Sequence, residues 1–571
     1  MDDEEVERST GNRKKRKFEF IDLSDSESSW SCPSSSSDDS EEDDYDDDDD
    51  DDDEDSENIG DEDWVDTAGP REPFPAHNRG VIHKDFGENP RPKDIFDNFF
   101  PQELVELIVN ETNKYANKYI NLRQMNRMQM EHSRDKSWRD TNPDEIRVLL
   151  ALFILQGIVV KPAHEMYFSR SKIIDTPFFC KIMPRDRFQI LLSFLHFNKR
   201  QERSKSNSNY DLLQIKPVLD MLSERWQLTY TPERDISIDE SLLQWKGRFK
   251  WKIYVPRKRN KLGIKSYKLC ESSTGYVYNL MIYSGDKTGI PDKIQDIDLE
   301  NFDKPAQIVL TLMESLLNQG HRLYVDNFYA SPKLFDALVE KKTDAVGTVR
   351  RNRKGMPKKL TLRNDTLAAY YRKKLMALKW ISKREVYMLS TVHDNNMKTY
   401  SNIYKQPVTK PKVIFDYNRG MGGVDLSDQR IANYSLARRR TKKCYIKFFF
   451  HLLDITILNS FIIYKKCGHD ITHLKFRTEL IKDIIDHHLK GDGLRKRRTY
   501  EHDIAISQRL LGNHFICRNQ ISRSTDYTLR RACVVCSANN VRRDVRYSCR
   551  QCDVALCAVP CFEIFHTQEH F

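Results

Sequence analysis

A mixed α/β domain enclosed by helical segments is the fold class that the amino-acid sequence predicts. Two observations support this prediction. Apolar residues recur at helical spacing before residue 234 and after residue 436, whereas alternation with period two begins at Asp235. Between these segments, strand-like and helix-like runs follow one another in the order β-β-β-α-β-α-β, which is typical of a sheet with helical crossovers.

Charge is divided unevenly along the chain. The 571 residues have a formal net charge of +8, but residues 1–66 hold 30 acidic and 6 basic side chains, so their net charge is −24 and that of the remainder is +32. Residues 34–55, mostly Ser, Asp and Glu, cannot bury enough apolar surface to offset the entropy of ordering them. We therefore expect a disordered acidic tail, and the basic remainder favours a polyanionic partner such as nucleic acid.

The ends and the apolar segments indicate where the protein acts. The polar N-terminus lacks the pattern of a secretory signal, and the most apolar stretch, residues 148–160, is too short to cross a bilayer, so no membrane association is expected. The basic run Arg13–Lys17 favours import into the nucleus, although short basic runs also occur by chance. Thiols in that compartment are kept reduced.

The elements follow in order from hydrophobic periodicity. An all-α module is predicted first, because helical spacing is present in Gln102–Tyr115, Ile146–Gln156, Arg185–Phe197 and Leu213–Thr229. The α/β segment then contains strands at Ile236–Asp239, Ile264–Glu271, Tyr276–Gly285, His321–Asp326 and Thr343–Val349, with helices at Ala306–Leu317 and Pro332–Lys342. Residues 350–411 are basic and irregular apart from a hairpin-like stretch at Leu375–Val392. Asp416–Gly423 is rich in turn residues, a helix begins at Val424, and a further apolar helix spans Ile446–Tyr464.

Three aspartates stand where an open α/β sheet places its functional site. Asp239 and Asp326 end strands, and Asp425 begins the helix after the glycine-rich turn. Neighbouring strands bring their carboxyl ends together, so these carboxylates could form a cage for a hard cation such as Mg²⁺ acting on a nucleic-acid backbone. Taken singly, each aspartate is more typical of a turn or a helix cap.

Cysteines and histidines are paired at the C-terminus with the spacing of metal ligands. Eight ligands within 39 residues predict two tetrahedral zinc sites, and disulfides are disfavoured in a reducing compartment. We expect an interleaved arrangement in which the first and third pairs share one zinc ion and the second and fourth pairs share the other. A RING-type ubiquitin ligase is the alternative, although its histidine would lie centrally. The pairs are Cys533 and Cys536, Cys549 and Cys552, Cys557 and Cys561, and His566 and His570.

Two basic patches flank the aspartate segments. Both could contact phosphates of a bound nucleic acid, and a solvated protein face is the alternative interpretation. The candidate DNA-binding residues are Arg257, Lys258, Arg259 and Lys261 in the first patch, and Arg438, Arg439, Arg440, Lys442 and Lys443 in the second.

Three segments together resemble the signatures of piggyBac-family transposases. They are Ser237–Ser241, Tyr324–Tyr329 and Asp416–Gln429, in this order, and the resemblance covers about residues 90–571. It implies an RNase H-like catalytic domain in which Asp239, Asp326 and Asp425 take the catalytic positions. By the same resemblance Asp428 is a fourth acidic position implicated in binding Mg²⁺ or Mn²⁺.

The resemblance also implies the reaction and the domain plan. A homodimer would cut and join double-stranded DNA at transposon ends with TTAA target sites, by two-metal phosphoryl transfer; a domesticated DNA-binding protein without cleavage activity is the alternative. The catalytic domain would be inserted in an all-α dimerisation and DNA-binding domain. The predicted boundaries are 1–88 for the tail and linker, 89–233 and 436–490 for the helical domain, 234–349 and 412–435 for the catalytic domain, 350–411 for an insertion domain, 491–530 for a linker and 531–571 for a two-zinc cysteine-rich domain that binds the transposon end.

Overall fold

The computed structural model describes most of the chain beyond the acidic segment. The described residues are 64–67, 71–75, 79–125, 137–198, 210–247, 249–255, 261–285, 289–358, 366–382, 384–401, 407–437, 441, 443–489, 514–519 and 529–568. The predicted disorder of the tail and the basic run Arg13–Lys17 lie outside these residues.

In the described part of residues 79–231, six α-helices and a short two-stranded sheet come first. The side chain of Asn142 caps the third helix by accepting a hydrogen bond from the backbone of Glu145, and Pro143 opens it. That helix is buried around most of its circumference, so it lies at the centre of the helical part. The elements are β1 (Val81–Ile82), α1 (Pro92–Phe99), α2 (Gln102–Met125), α3 (Pro143–Ile158), α4 (Pro177–Ile182), α5 (Arg185–Phe194), α6 (Tyr210–Thr229) and β2 (Tyr230–Thr231).

The mixed α/β fold that the sequence predicts is confirmed in the segment that follows. Parallel strands β3, β9 and β10 lie side by side, and α8 makes the crossover from β9 to β10. Antiparallel strands β5, β4 and β6 extend the sheet beyond β3. The elements are β3 (Asp235–Gln244), β4 (Lys252–Tyr254), β5 (Leu262–Glu271), β6 (Val277–Ile282), β7 (Lys293–Ile294), β8 (Ile297–Asp298), α7 (Lys304–Met313), β9 (Arg322–Val325), α8 (Pro332–Glu340) and β10 (Asp344–Thr348).

The basic segment 350–411 is more regular than the sequence predicts. It contains β11 (Leu367–Arg372), β12 (Leu375–Ile381), β13 (Glu385–Ser390), β14 (Met397–Ser401) and β15 (Pro407–Pro411). Strand β13 pairs with β10, so β11 to β13 continue the main sheet. Leu378, Trp380 and Met388 are buried in a second apolar cluster, while lysines and arginines at exposed positions obscure the alternation in the sequence.

The turn-rich reading of Asp416–Gly423 is wrong for most of that segment. Helix α9 (Lys412–Gly420) includes Asp416, and only two residues separate it from α10 (Gly423–Ala432). Val413 and Ile414 are buried in the second apolar cluster, and this packing outweighs the low helix propensity of the asparagine and glycine that follow.

Two long helices complete the helical part. Helix α11 (Cys444–Lys466) packs against α1 and α6, and α12 (His473–His488) packs against α3, so segments distant in sequence form one layer. Among the described residues, α11 is long and apolar enough to cross a membrane. However, 94% of its most apolar window is buried within the protein, as in the core helix of a folded domain.

A small module of short strands and helices lies at the C-terminus. Its elements are β16 (Ile516–Arg518), β17 (Arg531–Ala532), α13 (Val534–Ala538), β18 (Asp544–Val545), β19 (Tyr547–Cys549) and α14 (Cys561–Thr567). Because β16 pairs with β19, part of the predicted linker 491–530 belongs to this module.

Candidate active site and zinc-binding module

Two of the three predicted catalytic aspartates meet at the carboxyl edge of the parallel strands. In the register of β3 and β9, Ser237 lies opposite Tyr324, and Asp239 and Asp326 each follow two residues later. Oxygen atoms of Asp239, Glu240 and Asp326 lie within 4.8 Å of one another. The structure therefore brings three carboxylates together at this edge.

Glu240 is the member of this cluster that the sequence analysis missed. Strict alternation would place it on the opposite face of β3 from Asp239. Its backbone N–H donates to Oδ1 of Asp239 at 2.7 Å, and its carboxylate lies 3.7 Å from the ammonium of Lys265. A glutamate directly after a catalytic aspartate carries no periodic signal that would mark it as part of the site.

Asp326 is strained electrostatically by this arrangement. Burial, followed by the nearby charge of Glu240, raises the pKa of Asp326 to about 6, although hydrogen bonds from the backbone of Phe328 and Tyr329 act in the opposite direction. The N–H of Phe328 donates to Oδ1 of Asp326 at 3.0 Å and orients the carboxylate. An all-oxygen cluster in which like charges repel fits a hard divalent cation, which would neutralise it.

Helix α10 carries the remaining acidic positions and lies against β3 and β5. Asp425 is exposed in its first turn. Asp428 accepts hydrogen bonds on Oδ1 from Lys268 at 2.7 Å and from Ser241 at 2.9 Å. Neither aspartate belongs to the carboxylate cluster found among the described residues.

The glycines of the third sequence segment allow this close packing. A Cβ atom on Gly423 would lie 2.6 Å from Oγ of Ser237 and 2.9 Å from the backbone oxygen of Glu271. A Cβ atom on Gly420 would lie 2.4 Å from the ring of Tyr324. The absence of side chains at these glycines therefore allows α9 and α10 to pack closely against β9 and β3, the strands next to Asp326 and around Asp239.

Most of the predicted DNA-binding residues lie outside the described residues. These are Arg257, Lys258, Arg259, Arg438, Arg439, Arg440 and Lys442, whereas Lys261 is described and exposed. Lys443 has protein partners: its Nζ donates to the backbone oxygen of Ser193 at 2.6 Å and lies over the rings of Tyr115 and Tyr445. These contacts place its ammonium where α2, α5 and α11 meet, and burial there lowers the pKa of Lys443 to about 8.

Four cysteines form the first ligand set of the C-terminal module. Ligand atoms of Cys533, Cys536, Cys557 and Cys561 lie within 4.8 Å of one another. The sulfur of Cys536 lies 3.7 Å from that of Cys557 and 3.5 Å from that of Cys561. Thiolates around one tetrahedral zinc ion are about 3.8 Å apart, so this set fits zinc. It joins the first and third pairs, as the interleaved arrangement predicts.

The second ligand set differs from the prediction by one residue. It consists of His514, Cys549, Cys552 and His566, while His570 lies outside the described residues. The pairing of β16 with β19 aligns Ile516 with Cys549, and Nδ1 of His514 lies 3.6 Å from the sulfur of Cys549. Nδ1 of His566 lies 2.7 Å from the backbone oxygen of Phe562, which leaves Nε2 for a metal. In the sequence, His514 is an isolated histidine in a polar segment, so no ligand-pair spacing marks it as a candidate ligand.

Family models match both the helical and α/β region and the C-terminal module. A model described as Transposase IS4 matches residues 91–461, about two-thirds of the chain. A model described as DDE_Tnp_1-like zinc finger matches residues 512–567, a range that includes His514 and ends before His570. The fold and the two kinds of site thus define a transposase of the DDE class with a C-terminal zinc finger.

Individual relatives make the family more specific. The chain is 26% identical over 507 residues to human PiggyBac transposable element-derived protein 3, an alignment covering 84% of this chain and 76% of that protein. It is 24% identical over 403 residues to human PiggyBac transposable element-derived protein 2, covering 66% and 62%. The cryo-EM structure of a piggyBac transposase synaptic complex with hairpin DNA matches with a TM-score of 0.62 and 25% identity, covering 82% of this chain and 95% of that one. The chain belongs to the piggyBac family of transposases, as the sequence resemblance predicted.

Proposed function

We propose that this protein cuts and joins double-stranded DNA at transposon ends with TTAA target sites, by two-metal phosphoryl transfer. The observation that carries the proposal is the cluster of Asp239, Glu240 and Asp326 at the carboxyl edge of parallel strands, in a chain whose family consists of DDE transposases. Carboxylates at this edge suit chemistry on a phosphate backbone, because they hold divalent cations that phosphate oxygens also bind.

Asp239 and Asp326 would hold Mg²⁺ or Mn²⁺, with Glu240 beside them and Asp425 contributed by α10. When bound, the metal ions would supply Lewis-acid activation of a water or 3′-hydroxyl and stabilisation of the leaving oxygen. The protein's own task is orientation. Backbone N–H groups fix the carboxylates of Asp239 and Asp326, and the close seating of α10 on β3 fixes the position of Asp425.

The C-terminal module would bind two zinc ions, one in each ligand set, and contact the transposon end. The net charge of +32 outside residues 1–66 supports a path for DNA along the body of the protein. We also propose that the protein acts in the nucleus as a homodimer. These assignments are supported by the basic run Arg13–Lys17 and by family membership respectively.

A two-plasmid excision assay in cells tests the proposal. The donor carries a reporter interrupted by TTAA-flanked piggyBac-like ends, and the wild type is compared with Asp239→Asn. Asp220→Asn, at an exposed position on α6, is the matched control. We expect excision by the wild type and by the control but not by Asp239→Asn. Donor DNA left equally intact by all three variants would contradict cleavage of these ends and favour the non-catalytic DNA-binding protein.

A further inference from the structure

A buried lysine lies beside the candidate metal site, on the strand that pairs with β3. Lys268 on β5 is fully buried, and its ammonium forms an ion pair of 2.7 Å with Oδ1 of Asp428. The hydroxyl of Ser241 donates to the same oxygen at 2.9 Å. The carboxylate that the sequence resemblance assigns to metal binding is therefore already engaged by two protein groups.

Strand register places this pair beside the catalytic aspartate. Lys268 lies directly opposite Asp239 in the antiparallel pairing of β5 with β3, and Ser241 follows Asp239 by two residues on the same face. Helix α10 packs on both strands, so Asp428 reaches down to this face. The ion pair of Lys268 with Asp428 thus joins β5 to α10 beside Asp239.

The surroundings of Lys268 require Asp428 to remain its partner. Helix α11 contributes the side chains of Lys447 and His451, which are also buried. Burial, followed by the positive charge of Lys268 and that of Lys447, lowers the pKa of His451 to about 3, so its imidazole is neutral and does not offset the charge of Lys268. If Asp428 turned toward a metal ion, the ammonium of Lys268 would stay buried without its ion-pair partner, which protein interiors tolerate poorly.

We propose that Asp428 is the counter-ion of Lys268 rather than a metal ligand, and that this ion pair positions α10 so that Asp425 faces the metal site. Asp425 precedes Asp428 by three residues, so both project from the same side of the helix. Fixing Asp428 to β5 and, through Ser241, to β3 sets the rotation of α10 about its axis. Lys268 is thus a positioning residue. This inference rests on the proposed function for the metal site itself.

Mn²⁺ titration followed by electron paramagnetic resonance separates the two roles of Asp428. The full-length wild type is compared with Asp428→Asn, Asp239→Asn and the double variant Lys268→Met with Asp428→Asn. Loss of a true ligand should weaken Mn²⁺ binding by at least about tenfold, which we expect for Asp239→Asn. The double variant leaves no buried charge unpaired and keeps Asp239, Glu240 and Asp326, so it should weaken Mn²⁺ binding less than Asp239→Asn does, the remaining loss coming from the misplacement of Asp425. A double variant as weak as Asp239→Asn would overturn the proposal.

Thermal unfolding without metal tests the ion pair independently of the metal site. Each single variant, Lys268→Met or Asp428→Asn, leaves one buried charge unpaired and should lower the melting temperature. The double variant should recover much of that loss. Losses that simply add would overturn the pairing. If Asp239→Asn binds Mn²⁺ like the wild type, the proposed metal site fails, and this unfolding cycle still decides the role of Lys268.

A conservative variant gives a third readout in the excision assay. Lys268→Arg keeps the positive charge and should retain excision, whereas Lys268→Met should lose most of it while still binding DNA. Equal activity of the two variants would show that the charge of Lys268 does not position α10.

Discussion

Three carboxylates whose oxygen atoms lie within 4.8 Å of one another repel electrostatically, and this repulsion costs free energy unless a cation binds between them. The raised pKa of Asp326 is the sign of that cost, and the charge of Glu240 is one of its causes. The charges of such a cluster therefore serve metal binding rather than the stability of the metal-free protein.

Glu240→Gln should therefore stabilise the metal-free protein and weaken its response to metal. Removing the charge relieves repulsion at Asp326, so the pKa of Asp326 should fall and the melting temperature without metal should rise. The increase in melting temperature on adding Mn²⁺ should become smaller, because one carboxylate near the cation is gone. Differential scanning calorimetry with and without Mn²⁺ measures both effects. Glu224→Gln, at an exposed position on α6, is the control, and an unchanged Mn²⁺ response in Glu240→Gln would contradict this role.

The second zinc set provides another test at the scale of single residues. His514→Ala should reduce the zinc content of the full-length protein from two ions to about one, because three remaining ligands hold zinc poorly. His570→Ala should leave two zinc ions. Inductively coupled plasma mass spectrometry on protein purified without added metal gives the stoichiometry. Two zinc ions in His514→Ala and about one in His570→Ala would instead support the ligand set that the sequence spacing predicts.

The sequence predicted the residues of the sites that carry a pattern and missed those that do not. Asp326 directly follows β9 as predicted, whereas Asp239 lies within β3, which continues to Gln244 instead of ending at Asp239; both stand in recognisable segments, and the six cysteines have paired spacing. Glu240 joins the carboxylate cluster through local backbone geometry, and His514 joins the zinc set through the pairing of β16 with β19. Neither the backbone geometry at Glu240 nor the strand pairing at His514 is encoded by periodicity or spacing in the sequence.

At the scale of elements, the seating of α10 on β3 is the contact that links the sheet to Asp425. Gly423→Ala should disrupt it, because the added methyl group would meet the backbone oxygen of Glu271, which cannot move aside. We expect a loss of stability of about 1–3 kcal/mol and a greater loss of excision. Gly422→Ala is a close control, since a Cβ atom there has no neighbour within 4 Å among the described residues. Chemical denaturation and the excision assay measure the two effects, and equal behaviour of both variants would contradict the seating.

Residues 350–411 show where element prediction from sequence fails. Strands β11 to β13 join the main sheet only because β13 pairs with β10, a contact between residues about 40 positions apart. Residues 64–67 and 71–75 add to this edge: Val65 pairs with Tyr371 of β11, and the buried guanidinium of Arg71 lies 4.2 Å from the ring of Tyr371. Helices with strong periodicity, such as α3 and α11, were predicted to within a few residues because their signal is local.

At the scale of the whole molecule, opposite charges divide the chain. The sequence suggests the hypothesis that the acidic tail competes with DNA for the basic body. Removing residues 1–59 would delete most of the tail while keeping Val65 and Arg71, which contact Tyr371. Nonspecific DNA binding should then strengthen at low salt, and the difference should shrink as salt rises. Fluorescence anisotropy with random-sequence duplex DNA over a salt series measures it.

The control for this deletion is a chain in which residues 1–59 are replaced by a neutral Gly/Ser segment of equal length. Its nonspecific DNA affinity should equal that of the deletion variant if the negative charge of the tail is responsible for the effect. Affinity unchanged by both variants would reduce the tail to a role in solubility.

In the proposed function, Asp239, Glu240 and Asp326 hold a divalent cation for DNA cleavage. Anomalous X-ray diffraction at the manganese edge, on crystals of the protein soaked in Mn²⁺, tests it directly. We expect a peak about 2.0–2.2 Å from oxygens of Asp239 and Asp326, with Asp425 approaching and Asp428 still paired with Lys268. A fully soaked crystal without a manganese peak at this cluster would contradict cation binding by these three carboxylates.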